Sequence, residues 1–319
     1  MLFFGAVVLT SWQAGMRGGF VASALSVAAL DLFFGHPGQS WRFEFAEDLV
    51  DLTAFAGAAW LVCLVQDRWR GTHRKLVIVE EELAIARRIQ QRFFPGAAPA
   101  MPGLDIAGNC FPASEMSGDF YDYVFLEDGS FIIAVGDVSG HGLGPAMVMV
   151  LLRSYLRALA LTTSDLSEIL TGANRLLCQE TDRDWFVTVF LVHVSPGTRL
   201  VRRAGAGHEA YLLDASGELT RLKNSGMALG IDADERIGQG APFEMGAGHV
   251  LLVLSDGIVE SRNRASELFG LDRVLDTTRR HLRSNAAEIV TAIREAAEEH
   301  REGLAPQDDM TIVVVKAAI

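Results

Sequence analysis

The amino-acid sequence predicts an α+β fold in which two β-sheets pack on each other. Short runs rich in β-branched and aromatic residues recur over residues 104–316. These runs fall into two groups, and helical stretches occur in pairs between them. Such an order is typical of sheet packed on sheet. A strongly apolar segment lies before about residue 66 and predicts membrane helices ahead of this domain.

The predicted elements are short and well separated. Eight strands are expected, at Asp105–Phe111, Tyr121–Leu126, Phe131–Val135, Phe186–Val194, Leu200–Arg203, Ala210–Leu213, Val250–Leu254 and Thr311–Lys316. Four helices are expected, at Ala146–Leu161, Leu166–Glu180, Leu271–Leu282 and Ala286–Arg301. Their boundaries follow from changes in hydrophobic periodicity and from Gly and Pro residues.

The composition restricts the classes of function. The formal net charge of −12 argues against a nucleic-acid partner, because phosphate contacts need a basic face. The same acidity suits a site that collects divalent cations. Cys63, Cys110 and Cys178 are far apart and form no CxxC pair. Neither a disulfide framework nor a zinc site is therefore expected, and a reducing cytoplasm is the simplest compartment for the main domain.

Residues 1–67 are predicted to form a membrane domain of two or three transmembrane helices. Gly18–Phe34 and Leu49–Val65 each reach the minimum of about 17 residues that spans hydrocarbon. Residues 2–14 are shorter and fit a third span, a clipped span or an interfacial segment. The alternative is a buried hairpin of a soluble domain, because both longer stretches are short for a span and contain one acidic residue each.

The charges around these stretches predict their orientation. Basic residues within 67–75 follow the second stretch closely, whereas the loop 35–48 is acidic. By the positive-inside rule, the C-terminal two-thirds of the chain lies in the cytoplasm.

Residues 68–95 are predicted to form a linker helix. Its main stripe repeats every three or four residues and comprises Leu76, Val79, Leu83, Ala86, Gln90 and Phe93. A second stripe comprises Ile78, Glu82, Ile85 and Ile89. Such spacing is typical of a coiled coil, and Pro95 ends the helix. A parallel homodimeric coil is predicted, with a solvated single helix as the alternative.

Acidic residues stand at the ends of several predicted strands or in Gly-flanked turns. These are Asp119, Asp137, Asp256 and the pair Asp308 and Asp309. Clustered carboxylates repel one another unless a cation neutralises them, and all-oxygen ligands favour Mg²⁺ or Mn²⁺ over zinc. Two such cations about 4 Å apart clamp a phosphate and activate a water for in-line attack. A Ser, Cys or His nucleophile is then unnecessary.

Residues from about 84 to 316 resemble the metal-dependent PPM serine/threonine phosphatases, in the bacterial SpoIIE/RsbU branch. The motifs that carry the resemblance are ARRIQQ at 86–91 with Pro95, SGDFYD at 117–122, GDVSGHG at 136–142, AGH at 206–208, MALG at 227–230, SDGIVES at 255–261, LFG at 268–270 and QDDMT at 307–311. The resemblance implies an αββα sandwich of two antiparallel sheets flanked by helices over residues 100–319, with the metals at one edge.

The resemblance also implies roles for single residues. Asp137 matches the acid that bridges two divalent cations, Mn²⁺ or Mg²⁺, with the Val138 carbonyl as a further ligand. The other metal ligands are matched by Asp119, Asp256 and Asp308. Asp309 and Gly257 are weaker candidates for a metal or substrate contact, and no residue is assigned to substrate binding.

Two histidines near these motifs are predicted to be structural, and two arginines are predicted to lie on a solvated helix face. His141 and His208 lie in Gly-rich turns, where a histidine more often forms a hydrogen bond than binds a metal. Arg153 and Arg157 are one helical turn apart, which allows both to face a substrate phosphate, but a solvated helix face is the preferred interpretation.

Part of the membrane segment resembles the transmembrane sensor region of KdpD-type histidine kinases. The likeness is carried by Gly15–Gly18, Asp31–Phe34, Pro37 and Glu47-Asp48. That family usually has four spans, so the present chain is expected to begin partway through the region or to carry a reduced form of it.

These observations predict a membrane-attached, signal-regulated protein serine/threonine phosphatase. The resemblance implies that its substrate is a phosphorylated STAS-type anti-anti-sigma protein or a similar partner-switching regulator. It implies a bacterial inner membrane, with the catalytic domain in the cytoplasm. One alternative is a catalytically silent PPM scaffold that binds a partner. Another is a nucleotide cyclase or phosphodiesterase, against which the absence of a GxxxxGK loop counts.

Overall fold

The computed structural model describes residues 2–34, 47–181 and 184–318. The chain forms two compact units, Met1–Glu82 and Leu83–Ile319. The division falls within the predicted linker of residues 68–95, and the three-part organisation remains a prediction. Most of the predicted acidic loop, residues 35–46, lies outside the described residues.

The first unit contains two long helices. Helix α1 spans Leu2–Phe34 and is kinked at Gly15, whose φ of 72° is not helical. Helix α2 spans Glu47–Gln91 and continues into the second unit. The second apolar stretch and the linker thus form one helix, since residues 47–91 contain no proline to interrupt it. A side chain at Gly19 would come within 2.5 Å of the Cys63 sulfur, so glycine permits close packing there.

The second unit alternates between strands and paired helices. Its strands are β1 (Leu104–Phe111), β2 (Phe120–Phe125), β3 (Phe131–Val138), β4 (Val187–Val194), β5 (Leu200–Ala206), β6 (Ala210–Leu213), β7 (Leu219–Leu222), β8 (Gly240–Glu244), β9 (Val250–Leu254) and β10 (Met310–Ala317). Its helices are α3 (Leu143–Ala160), α4 (Leu166–Glu180), α5 (Asp256–Val259), α6 (Gly270–Arg280) and α7 (Ala286–His300).

The strands form two five-stranded antiparallel sheets. One has the order β1-β10-β9-β6-β7 and the other the order β2-β3-β4-β5-β8. Along β4, Phe190 and Val192 contribute to the core between the sheets, whereas Val189 and Leu191 face the core beneath α3 and α4. The alternation is that of a strand buried on both faces. Helices α6 and α7 cover the other sheet, so the predicted αββα sandwich is confirmed.

Several boundaries differ from the predictions for identifiable reasons. Strand β3 was expected to end at Val135 but continues to Val138, because Gly136 and Asp137 pair with β4 in the antiparallel ladder. Strands β7 and β8 and the short helix α5 were not predicted. The two strands are brief and partly exposed, so their sequences lack a clear apolar alternation. Helix α7 begins where expected, because Asn285 and Glu288 form a capping box.

Among the described helices, one is long and apolar enough to cross a membrane, and it is α3. This helix packs on β2 and β3 and contributes seven buried residues to the core, so it is a core helix of the sandwich. The predicted spans Gly18–Phe34 and Leu49–Val65 fall in α1 and α2 and remain predictions.

Candidate metal and phosphate site

Four acidic residues from separate chain segments lie at one edge of the sandwich. In one sheet, Asp119 directly precedes β2 and Asp137 is the penultimate residue of β3. In the other sheet, Asp256 follows β9 and opens α5, and Asp308 precedes β10. The stacked sheets therefore carry two acids each to the same edge.

The pairing of β2 with β3 explains why the first two acids are adjacent. Phe120 lies opposite Gly136 in the register, so Asp119 and Asp137 follow one position further along the same pair of strands. A side chain at Gly136 would come within 2.4 Å of the Phe120 ring. Glycine therefore lets the ring cross the strand.

Close packing of two loops brings the other two acids together. A Cβ on Gly257 would lie only 2.0 Å from the carbonyl oxygen of Asp309. The segment before β10 thus passes directly over the backbone after Asp256, which places Asp308 beside it. Gly257, predicted as a candidate contact for metal or substrate, is needed here for this close approach.

The acidic side chains interact with one another. The charges of Asp256 and Asp308 both act on the Asp137 carboxyl group. Burial, followed by the charge of Asp256, raises the pKa of Asp137 from 3.8 to about 7. Burial, followed by the charge of Asp137, raises the pKa of Asp119 well above its ordinary value. Burial also raises the pKa of Asp308, with the charge of Asp256 adding to the effect.

The donor set fits hard divalent cations. Every group is a carboxylate, and their mutual repulsion is relieved when positive charge lies between them. Within the described residues, however, no three His, Cys, Asp or Glu side chains converge tightly enough to form a ready coordination shell. The four carboxylates nevertheless share one electrostatic environment, because their charges shift one another's pKa values.

Ser255 connects the two sheets beneath this site. Its buried hydroxyl donates a 2.6 Å hydrogen bond to an Asp119 carboxylate oxygen and accepts one of 2.9 Å from the Thr311 amide. It therefore orients Asp119 from the opposite sheet. The sequence analysis did not single out Ser255, although it directly precedes Asp256 in the SDG motif.

Asp309 fixes the backbone of the loop before β2 through hydrogen bonds. Its two carboxylate oxygens accept hydrogen bonds from the amides of Ala113 and Gly118, at 2.7 and 2.8 Å. Gly118 lies directly before Asp119, and a side chain on it would come within 3.2 Å of the Val138 carbonyl oxygen. Asp309 thus holds the turn that carries Asp119 next to the carbonyl predicted to be a ligand.

The C-terminal end of α2 forms hydrogen bonds to the same turn. The Gln90 side chain is buried, and its amide donates to the Ser117 carbonyl at 2.7 Å and accepts from the Ser117 amide at 3.0 Å. This paired contact is equivalent to one step of a β-ladder. Gln90 was placed in the coiled-coil stripe and in the ARRIQQ motif but was given no role at the site, since its position carries no sign of the distant turn.

The expectation for the two arginines of α3 is corrected by the structure. Arg157 forms two hydrogen bonds to Asp122, of 2.6 and 2.8 Å, and Arg153 approaches the same carboxylate at 3.1 Å. The Asp122 side chain is only 2% exposed. Neither arginine is simply solvated, because both neutralise this buried acid, which the sequence analysis did not identify.

The two histidines occupy different positions. His208 is buried, and its Nδ1 lies 3.0 Å from the Thr188 hydroxyl. Burial lowers its pKa from 6.5 to about 4, so the ring is neutral at physiological pH, as expected for a structural residue. His141 is exposed in the turn after β3 and lies close enough to Asp308 to interact with its charge.

Comparison with protein families gives two matches along the chain. Residues 127–318 match the family described as Stage II sporulation protein E (SpoIIE). Residues 1–77 match a domain of unknown function, DUF4118, which is compatible with the predicted likeness to a sensor region.

Two curated proteins are similar over most of the chain. Phosphoserine phosphatase RsbU of Bacillus subtilis is 28% identical over 245 residues, which are 76% of this chain and 71% of RsbU. Protein IcfG of Synechocystis is 28% identical over an alignment of 262 positions that covers 73% of this chain. The chain spans only 41% of IcfG.

Solved structures share the fold. The SiaA-PP2C domain of Pseudomonas aeruginosa superposes with a TM-score of 0.68 at 23% identity, covering 76% of this chain and 98% of that domain. The SpoIIE phosphatase domain from Bacillus subtilis, solved with a fragment of its regulatory domain, gives 0.59 at 18% identity and covers 68% of this chain and 64% of that one. The catalytic domain of PstP, solved with two manganese ions, gives 0.51 at 16% identity and covers 68% and 99%.

Proposed function

The chain belongs to the SpoIIE family and is a phosphoprotein phosphatase, and we propose that it hydrolyses phosphoserine or phosphothreonine at the edge formed by β3 and α5. The observation that carries this proposal is the meeting of carboxylates from both sheets, where burial and then the charge of Asp256 raise the pKa of Asp137 to about 7. Such a concentration of negative charge repels a phosphate unless cations are bound. A cation-dependent reaction follows from it.

We propose that Asp119, Asp137, Asp256 and Asp308, with the Val138 carbonyl, hold two divalent cations, Mn²⁺ or Mg²⁺. Such cations supply charge neutralisation for the phosphoryl group and lower the pKa of water to generate a nucleophile. RsbX and PstP, which share the fold, were solved with magnesium and with manganese, respectively.

The surrounding residues keep the carboxylates in place. Ser255 donates to Asp119, so this acid presents a fixed orientation. Asp309 and Gln90 hold the turn before Asp119 through four hydrogen bonds to backbone groups. Mutation of residues that orient metal ligands commonly lowers metal affinity or activity by about 10–100-fold.

The activity is tested by measuring phosphate release from serine- and threonine-phosphorylated peptides with Mn²⁺, with Mg²⁺ and with a chelator. The wild-type protein should require a divalent cation. The isosteric change Asp137→Asn should abolish turnover while the melting temperature changes little. Turnover in the variant equal to wild type would reject the assignment, and no turnover in either protein would favour a silent scaffold.

We further propose a regulatory protein of the STAS type as the substrate. Support comes from the similarity to RsbU, a phosphoserine phosphatase, and from the resemblance of the motifs to that branch. A STAS-domain protein phosphorylated on serine should be dephosphorylated faster than an unrelated phosphoprotein such as casein. Equal rates would count against this substrate class.

We also propose attachment to the bacterial inner membrane and control through a dimeric linker. The match of residues 1–77 to DUF4118 and the apolar stretches in α1 and α2 support attachment to the membrane.

The exposure of α2 supports the dimeric linker. Ile78, Ile85 and Ile89 are each about half exposed, as expected for an apolar stripe that is covered by a second helix in a coiled coil. Ile78→Asp with Ile85→Asp should convert a dimer to a monomer in light-scattering measurements. An unchanged mass would remove the coiled-coil role.

A further inference from the structure

Several large apolar side chains are exposed next to the carboxylate edge. Two of them, Leu143 and Met147, are four residues apart at the start of α3 and so share one helix face. The others are Phe186, directly before β4, and Met227 and Ile231 in the loop after β7. The exposed fractions are 52% for Leu143, 61% for Met147, 44% for Phe186, 44% for Met227 and 53% for Ile231.

Backbone contacts join these segments into one surface. The Ser139 amide donates to the Phe186 carbonyl at 2.9 Å, and the Phe186 amide donates to the Ser139 hydroxyl at 3.1 Å. The next residue, Val187, exchanges two hydrogen bonds with Leu229, at 2.9 and 2.8 Å. The turn after Asp137, the start of β4 and the 227–231 loop are therefore neighbours.

Trp185 completes this surface. A Cβ on Gly144 in the first turn of α3 would lie 2.8 Å from the Trp185 ring, and a Cβ on Gly230 would lie 2.6 Å from the Trp185 carbonyl oxygen. Trp185 thus touches both the helix and the 227–231 loop. We call Leu143, Met147, Trp185, Phe186, Met227 and Ile231 the apolar rim of the site.

The apolar rim is unlike ordinary surface. Single exposed hydrophobic residues are common on soluble proteins, but a contiguous group of large ones marks an interaction site. Its place also matters, since Ser139 is two residues from Asp137. A folded protein that places a phosphorylated side chain at the carboxylates brings the surface around that side chain next to this region.

We propose that the apolar rim is the docking surface for the folded phosphoprotein substrate, an inference that rests on the proposed function. The substrate contacts it with an apolar face around its phosphorylated residue. Exposed acids flank the rim at Asp184, Asp232 and Asp234, so the matching face of the substrate carries basic residues at its border.

The charge distribution favours a substrate over a second copy of the chain. The chain has a net charge of −12, and a symmetric dimer through the rim would bring the acidic flanks and the carboxylate sites of both copies together. Like charges across an interface oppose association. A basic-bordered phosphoprotein gains from the same charges, and its association slows as salt screens them.

The test compares two substrates on the full-length protein with Mn²⁺ present. One is a purified STAS-domain protein phosphorylated on serine, and the other is a short phosphoserine peptide that is too small to cover the rim. The variant combines Met147→Ala with Ile231→Ala. The control is Leu161→Ala, which truncates an 80% exposed apolar residue at the far end of α3.

The double variant should lower kcat/KM for the folded phosphoprotein by about 10-fold or more, mainly through KM, relative to kcat/KM for the peptide. Loss of large apolar contacts in an interface commonly has effects of this size. The control should leave the ratio of the two kcat/KM values as in wild type, and kcat/KM for the folded substrate should fall with salt more steeply than that for the peptide.

Three results would overturn the proposal. A wild-type ratio in the double variant, with wild-type activity on both substrates, would reject docking and leave the phosphatase function intact. A change from dimer to monomer in light scattering with the ratio unchanged would identify the rim as a self-association face. A wild-type protein that hydrolyses neither substrate would reject the proposed function and the docking surface with it.

Discussion

Replacing Asp122 by Asn should destabilise the second unit more than any other single removal of charge at an ion pair described here. The change preserves the shape of the side chain but removes the negative charge that two arginines of α3 share. Arg153 is most affected, because its side chain is only 13% exposed and its guanidinium lies over the Phe93 ring at 5.5 Å. It would remain charged without a carboxylate partner.

The expected loss follows from the burial of the three groups. Removing one partner of a buried ion pair costs about 3–5 kcal/mol, whereas an exposed pair contributes about 0–1 kcal/mol. Asp122 and Arg153 are buried or nearly so, but Arg157 is 45% exposed and can regain water. We therefore expect a loss of about 3 kcal/mol, which lowers the melting temperature of a domain of this size by roughly 6–12 °C.

Thermal unfolding of the full-length protein, followed by near-ultraviolet circular dichroism, measures this effect. The matched control is Asp276→Asn, which removes the exposed pair with Arg279 and should cost less than about 1 kcal/mol. Arg157→Ala should cost less than Asp122→Asn, because Arg153 keeps its partner. The reasoning fails if Asp122→Asn is no more destabilising than the control.

Three further outcomes are expected. Ser255→Ala removes the hydrogen bond that orients Asp119 and should weaken activation by Mn²⁺ about 10-fold or more in a metal titration; an unchanged titration would contradict that role. Gly257→Ala places a Cβ 2.0 Å from the Asp309 carbonyl and should abolish activity and lower the melting temperature, which a wild-type temperature would disprove. The pKa of His208 falls from 6.5 to about 4 on folding, so between these values the unfolded chain binds a proton that the folded chain does not. The stability gained from keeping His208 neutral is therefore fully present above pH 6.5, and the free energy of unfolding declines by up to about 3 kcal/mol as the pH approaches 4. Urea titrations at several pH values should show a shallower decline of this free energy for His208→Gln. The same decline in the variant and the wild type would refute this.

Much of the sandwich was predictable because most of its strands have a clear pattern of apolar residues in the local sequence. The run at 250–254 was predicted with the bounds that β9 has, and helix α7 was predicted from its helical periodicity to within one residue. These elements are specified by side chains within a few positions of one another. Strands β7 and β8 escaped prediction because short, partly exposed strands derive their order from pairing with β6 and β5.

The residues around the site likewise include some that the local sequence identifies and some that it does not. The acids were found because each lies at the end of an apolar strand, and Asp119, Asp137 and Asp256 are also next to a glycine. Ser255, Gln90 and Asp122 were not found, because their partners are 136, 27 and 35 residues away in the chain. A hydrogen bond over such separations leaves no periodic trace in the sequence.

The sequence by itself determined which chemistry this protein carries. Its order of motifs, its four acids and its negative charge indicate a cation-dependent phosphatase of the SpoIIE family. Only the tertiary structure decided how the acids are held and what surrounds them. Stacking of the two sheets brings Asp119 under Ser255, and the turn after Asp137 meets β4 to form the apolar rim. These contacts depend on packing between distant segments, whose free energy is set by burial and shape and not by local sequence.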